Sequence, residues 1–180
     1  MWKRSNRKVI GAFLRLRRAL DGYSILRDQR LWLFLAALSL SGYWLCSRLV
    51  FAISPSVSHR LFLLERSGRA PRKGEYVIFS FASPLLESGK RQRLIKQVTC
   101  EPGDTLKVDI RNRFFYCNGN YLGMAKVITL KGKTLPLFVY NGKVPEGMLF
   151  VSGQHRDSFD SRYWGFLDRK KVETIAQPLL

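Results

Sequence analysis

The sequence predicts a mainly β domain, residues 54–180, preceded by a single transmembrane helix, residues 31–53, and a basic segment, residues 1–30. Three observations carry this. The chain has 31 Lys and Arg against 13 Asp and Glu, a formal net charge of +18, and residues 1–30 hold a large share of the excess. An uncharged run, LWLFLAALSLSGYWLCS at 31–47, follows that basic lead directly. Beyond it, short alternating stretches recur between Gly, Pro and Asn turns, and helical patterns are scarce. A length of 180 residues suits about one globular domain plus an appendage and is too short for a TIM barrel. With 46% hydrophobic and 24% charged residues, wholesale disorder is excluded. Three cysteines are too few for a disulfide scaffold, and two histidines without a C-x-x-C argue against a zinc module.

Residues 1–30 contain nine basic groups and two acids, Asp21 and Asp28. Val9, Phe13, Leu16 and Leu20 recur at helical spacing, with Arg15, Arg17 and Arg18 mostly off that stripe. A helix lying on anionic lipid fits this pattern, and so does a solvated basic tail that only sets topology. The uncharged run spans roughly 25 Å as a helix, slightly short of a ~30 Å hydrocarbon core. Arg48 is able to snorkel to the headgroups, which extends the buried stretch to Ile53. Trp32, Tyr43 and Trp44 sit near the two ends, as interfacial aromatics do. The abrupt basic-to-apolar switch speaks against a buried core helix. The long basic lead and the lack of a clear small-x-small site speak against a cleaved signal. The positive-inside rule places 1–30 in the cytoplasm and 54–180 outside. High basicity suits nucleic acid, anionic lipid or an acidic protein, but this topology leaves only residues 1–30 facing DNA, so no nucleic-acid partner is expected.

In the outer domain, residues 74–81 (GEYVIFSF) read as a strand after a Gly turn, and 93–98 as a short strand containing Lys96. Glu101-Pro102-Gly103-Asp104 is a tight turn before an alternating strand at 105–110. Residues 114–117 run into Asn118-Gly119, a strong hairpin signal. Further candidate strands are 127–130, 135–140 and 148–152. Candidate helical turns are 83–89, with Ser83 as cap and Pro84 next, and the stretch after Gly165. Spacing of this kind suggests an all-β barrel or sandwich with long loops. Cys100 and Cys117 flank a hairpin-like segment. An oxidising compartment permits a disulfide between them, and two buried thiols are the alternative, which geometry decides.

No metal-ligand cluster, phosphate-cradling loop or G-x-S-x-G elbow is present, so neither metal nor organic cofactor is implied. His59 and His155 read as polar loop residues. A Ser-Lys pair is better supported. Ser54-Pro55-Ser56-Val57 lies just past the apolar stretch, and Lys96 sits among apolar neighbours in Leu94-Ile95-Lys96-Gln97-Val98. Desolvation disfavours an ammonium, and a neutral amine takes a proton from a serine hydroxyl. Taken alone, a lysine in a strand is ordinarily a solvated, outward side chain.

The order of motifs along the chain adds weight. Ser54-Pro55-Ser56-Val57, Lys73-Gly74-Glu75-Tyr76-Val77, Lys96 through Glu101-Pro102-Gly103-Asp104, and the run from Gly153 to Gly165 containing Ser158-Phe159-Asp160-Ser161-Arg162 appear in sequence. Together this series resembles the boxes of type I signal peptidases, membrane-anchored serine proteases with a Ser-Lys dyad. The resemblance covers roughly residues 31–168 and implies a signal-peptidase-like antiparallel β domain. It implies Ser56 as nucleophile, Lys96 as general base, and an oxyanion hole from the Ser56 N–H and the Ser54 hydroxyl. It further implies that Ser158 orients the lysine and that Asp160 and Arg162 pair to hold the last box. In the conjugative branch an aspartate at the position of Asp160 is itself needed for activity. Gln154-His155 stands where Asp-Asn is usual, no proline follows the nucleophile closely, and the last box is one residue short. These departures resemble the TraF-type peptidases of conjugative transfer systems. That branch implies a bacterial inner-membrane protein with a periplasmic catalytic domain. Its implied partners are a precursor pilin or another exported protein, membrane lipid and other transfer-apparatus subunits.

Overall fold

The computed structural model describes residues 28–52, 57–65, 68–85 and 90–179. The segment 1–20 with its apolar stripe, Ser54 and Ser56 lie outside the described residues. The chain divides into two units, residues 1–47 and 48–180.

The first unit contains helix α1, Gln29–Cys46. Asp28 caps it, its side chain accepting from the Arg30 N–H at 2.9 Å. At the other end the Ser47 N–H donates to the Tyr43 carbonyl at 2.9 Å, and the Ser47 hydroxyl donates to the Trp44 carbonyl at 2.8 Å. None of its side chains is buried, and Leu33, Phe34, Leu40 and Trp44 are all well exposed. The helix is shorter than the predicted span of 31–53. Among the described residues no helix is long and apolar enough to cross a membrane. The polar side chains of Gln29 and Arg30 occupy its first turn. At its far end the chain leaves helical geometry, and Leu49–Phe51 form strand β1 with a backbone partner of their own.

The second unit is antiparallel β, as expected. Its further strands are β2 Leu61–Glu65, β3 Tyr76–Phe81, β4 Gln92–Cys100, β5 Thr105–Asp109, β6 Phe114–Cys117 and β7 Asn120–Met124. Strands β8 Gly142–Lys143, β9 Met148–Ser152, β10 Leu167–Asp168 and β11 Val172–Pro178 complete it, with a short helix α2, Ser161–Trp164, after β9. One sheet has the order β1-β2-β11-β3-β4-β9-β10 and a second the order β7-β6-β5-β8. The Asn-Gly turn closes the β6–β7 hairpin with both residues at positive φ, 49° for Asn118 and 82° for Gly119.

Three expectations differ. Residues 127–130 and 135–140 are not strands; they retain one isolated bridge, Ile128 to Thr134. Pro136 withholds a ladder donor there, and Gly132 closes a tight turn by donating to the Thr129 carbonyl. The stretch after Gly165 is not helical beyond the single 3₁₀ turn Arg169–Lys171, and it feeds β11, which pairs with both β2 and β3. Of 83–89, residues 84–85 form a turn and 86–89 lie outside the described residues.

The core between the sheets is built from Leu106, Phe115, Cys117, Cys100, Phe150 and Tyr163. A disulfide joins Cys100, the last residue of β4, to Cys117, the last of β6, with their Cα atoms 5.9 Å apart. It links one sheet to the other. Because it closes a loop with a sequence separation of 17, its reduction is expected to cost about 3 kcal/mol of stability. Urea unfolding with and without reductant, compared with the Cys100→Ala/Cys117→Ala variant, measures this.

Candidate active site

Lys96 lies in the middle of β4, opposite Val77 of β3 and next to Gln97, which pairs with Ser152 of β9. With strands on both sides, β4 has no open edge at this point. Successive side chains alternate across a sheet, so Lys96 shares its face with Val98, a fully buried core residue. The ammonium end therefore points into the domain, and Lys96 is only 2% exposed. The segment 153–165 forms the cover over it. Nζ of Lys96 donates to the Ser158 hydroxyl at 2.6 Å. Burial is the main cause that pushes the Lys96 amine down to about 8, with the Asp160 charge opposing and the Arg162 charge assisting.

The cover is held by one buried ion pair. Asp160 is completely buried and Arg162 is 3% exposed. Arg162 donates to both Asp160 oxygens, from Nε at 2.8 Å and from the second guanidinium nitrogen at 2.6 Å. Asp160 also caps α2 and accepts from the Gly153 N–H at 2.8 Å. Burial, the largest single influence, lowers the Arg162 pKa, but the hydrogen bonds and the charge of Asp160, helped by Tyr163 and Tyr121, together outweigh it and raise the pKa. The remaining guanidinium nitrogen donates to the Met124 carbonyl at 3.0 Å. That reach needs Gly123, since a Cβ at this position would stand 2.9 Å from the guanidinium. Ser161 accepts from the Val151 N–H at 3.0 Å, tying α2 to β9. Lys126 forms an ion pair with Asp157, the neighbour of Ser158.

Of the residues singled out in the sequence, Lys96, Ser158, Asp160 and Arg162 thus converge. Ser54 and Ser56 lie outside the described residues. The chain just after them is described. Val57 is buried with Phe62, Tyr76, Ile78 and Ala176, and Ile95, next to Lys96, packs against this cluster. The Ser58 N–H donates to Oε1 of Gln154 at 2.9 Å. Beside Gln154, a cleft of about 400 Å³ is lined in part by Gln97, Ser152, Gly153, Lys126, Arg156 and Arg162. His155 is exposed, its ring accepting from the Asp157 N–H at 3.2 Å. Cys100, Asp104 and Cys117 cluster closely, but the two sulfurs are bonded to each other and offer a metal no thiolate pair.

Sequence reasoning missed the contacts of Gln154, Tyr76, Ser161 and Gly123. Gln154 stood out only as a departure from the resembled motif, and nothing local marks Gly123 as the neighbour of an arginine 39 positions later.

A family model described as signal peptidase, peptidase S26, matches residues 30–179. A probable signal peptidase I-2 of Synechocystis sp. (strain ATCC 27184 / PCC 6803 / Kazusa) is 32% identical over 122 residues, covering 67% of this chain and 50% of that protein. The chain therefore spans about half the length of the curated relative it matches. A crystal structure of a signal peptidase I from Enterococcus faecalis V583 is 24% identical and has a TM-score of 0.37, with 59% of this chain and 97% of that one covered.

Proposed function

Because the chain belongs to the signal peptidase family, peptidase S26, by a match over residues 30–179, we propose that it is a serine endopeptidase acting on exported precursor proteins. The observation that carries this reading is the buried Lys96, held by Ser158 and brought down to about 8. An amine with that pKa is roughly one-fifth neutral at pH 7.4, against about one in a thousand for an ordinary lysine, and that fraction has a lone pair to offer.

In the proposed reaction the Ser56 hydroxyl attacks the scissile carbonyl and its proton passes to Lys96 Nζ. The Ser56 N–H and the Ser54 hydroxyl stabilise the oxyanion; one such donor is worth roughly 3–4 kcal/mol in a well-studied serine protease. As the intermediate collapses, Lys96 returns the proton to the departing amine and leaves an ester on Ser56. Water, deprotonated by Lys96, then attacks the ester and frees the enzyme. Ser158 fixes the rotamer of the lysine. Asp160 acts as a positioning residue: Arg162 and the Gly153 N–H occupy its oxygens, and its charge reaches Lys96 only through space. No step requires a metal.

The domain assignment follows the same reading: residues 1–30 cytoplasmic, 31–53 associated with the inner membrane, 54–180 periplasmic. The exposed apolar surface of α1 supports a lipid contact for the second of these. The disulfide supports an oxidising compartment for the third. The finer assignment is the TraF-type branch, with a prepilin as substrate, supported by Gln154-His155 and the short last box. Ring closure belongs to that assignment, since a terminal amine attacking the ester joins the ends of the product. Mass spectrometry of the mature product distinguishes the routes: a species lighter than the linear peptide by one water is the ring.

Ser56→Ala is expected to lower precursor cleavage by roughly 10⁴-fold or more while the protein still accumulates. Cleavage at the wild-type rate in this variant contradicts the reading; a non-enzymatic membrane subunit is distinguished by the absence of any reaction of Ser56 with serine-directed acylating agents. Complementation of a leader-peptidase depletion strain separates the prepilin assignment from a housekeeping role, and failure to complement is the expected result.

A further inference from the structure

The segment that follows Ser56 is tied to the rest of the domain by side chains that the reaction above does not use. Gln154 lies at the centre. Its Oε1 accepts the Ser58 N–H at 2.9 Å, and its Nε2 donates to the Tyr76 hydroxyl at 3.1 Å. The Tyr76 hydroxyl in turn lies 3.2 Å from Nδ1 of His59, and that same nitrogen lies 3.1 Å from the Ser58 hydroxyl. The contacts therefore close a ring: Ser58, Gln154, Tyr76, His59 and back to Ser58.

Tyr76 and Gln154 are the anchor points of this ring on the rest of the domain. Tyr76 is buried on β3, directly opposite Gln97, so it sits one position from the register of Lys96. Gln154 follows Gly153, whose N–H is held by the buried Asp160. The amide of Gln154 thus connects the buried Tyr76 to a backbone N–H two residues beyond Ser56. Ser58 itself is exposed, and the Gln154 contact crosses 96 positions in sequence. An exposed backbone N–H has water available as a partner. Recruiting a distant side chain to it therefore gains little stability, but it does fix the direction of the chain.

From this we infer that Gln154 is a positioning residue for the nucleophile segment, acting with Tyr76 as a latch on the chain at Ser58, two residues after Ser56. The inference rests on the reading of Ser56 and Lys96 as a dyad. An amide suits the task because it accepts from a backbone N–H with one atom and donates to a phenol with another. A carboxylate in its place keeps the first contact and makes the second only with the phenol as donor, which draws the Tyr76 proton away from His59.

The test uses the full chain in detergent micelles and an internally quenched peptide spanning the cleavage junction of an exported precursor. Wild type, Ser56→Ala, Gln154→Ala, Tyr76→Phe and the Gln154→Ala/Tyr76→Phe double variant are compared. Gln154→Ala is expected to lower kcat about 10- to 100-fold, the scale of a displaced reacting group, with KM changed less than about threefold. The pH midpoint of kcat and the thermal unfolding midpoint stay near the wild-type values, because neither Lys96 nor the core is altered. Tyr76→Phe gives a similar loss, and the double variant is little worse than the worse single, since both changes open the same latch. Gln154→Ala activity within about twofold of wild type, or a loss seen only in KM, overturns the inference. Absence of cleavage by wild type, or cleavage by Ser56→Ala at the wild-type rate, overturns instead the dyad reading on which it rests.

Discussion

Lys96→Met is expected to abolish precursor cleavage and to make the protein more stable at pH 7. Both effects come from one cause. The amine is buried in the domain, and its pKa falls from 10.5 to about 8 because water is withdrawn from the charged form. A folded-state pKa below the unfolded one means that the unfolded chain binds more protons between those values. Stability contributed by this group therefore rises with pH across the window from about 8 to 10.5, and the whole penalty is present below it. That penalty is about 3 kcal/mol at neutral pH. Methionine fills a similar volume without a charge, at the cost of about 1 kcal/mol for the Ser158 hydroxyl left without its partner. The net expectation is a gain of about 2 kcal/mol at pH 7 that fades as the pH is raised through the same window. Urea unfolding of both proteins at pH 7 and pH 10.5 checks it. Destabilisation at pH 7 means that Lys96 is not carried as a buried, unfavourable ammonium.

Asp160→Ala is expected to destabilise the outer domain by about 3–5 kcal/mol, the usual result of stripping one partner from a buried ion pair. The Arg162 guanidinium, 3% exposed, would be left charged with two of its hydrogen bonds gone. The Gly153 N–H would lose its acceptor and α2 its cap. Asp160→Asn keeps the cap oxygen and the shape but supplies no charge, and is expected to cost less. Activity should fall further than stability alone explains, because Gly153, Gln154 and Ser158 all belong to the segment that Asp160 holds. Thermal unfolding and single-turnover cleavage on the same samples separate the two effects. A variant as stable as wild type contradicts the view that this pair organises the cover over Lys96.

The strands with alternating side chains and explicit turns were readable from the residues. Tyr76–Phe81, Thr105–Asp109 and Phe114–Cys117 fall where the pattern put them, and the Asn118-Gly119 turn has the geometry its residues demand. Strand β2 was not read, because Leu61–Leu64 is a continuous apolar run with no period to mark it. Strand β11 was hidden behind the basic Arg169–Lys171 turn and a terminal Pro178, which sits where an edge would be expected although the strand pairs on both sides. Hydropathy extends the apolar stretch to Ile53, whereas the helix ends at Cys46 and Leu49–Phe51 pair with Leu61–Leu63, because hydropathy alone gives no weight to backbone pairing. At the site, Lys96 is buried on the inner face of β4 and finds its hydrogen-bond partner in Ser158, a residue 62 positions away. No local pattern distinguishes that lysine from a solvated one. Only the ordered series of motifs did so, and it did so by resemblance.

The central claim is that a neutral Lys96 activates Ser56. The pH dependence of the single-turnover acylation rate, with the modified residue located by mass spectrometry, tests it most directly. The account predicts modification at Ser56 with a rate that climbs with pH through a midpoint of about 8 and then levels, and no modification in Lys96→Met. A rate that stays flat across this range, or label on another residue, contradicts it.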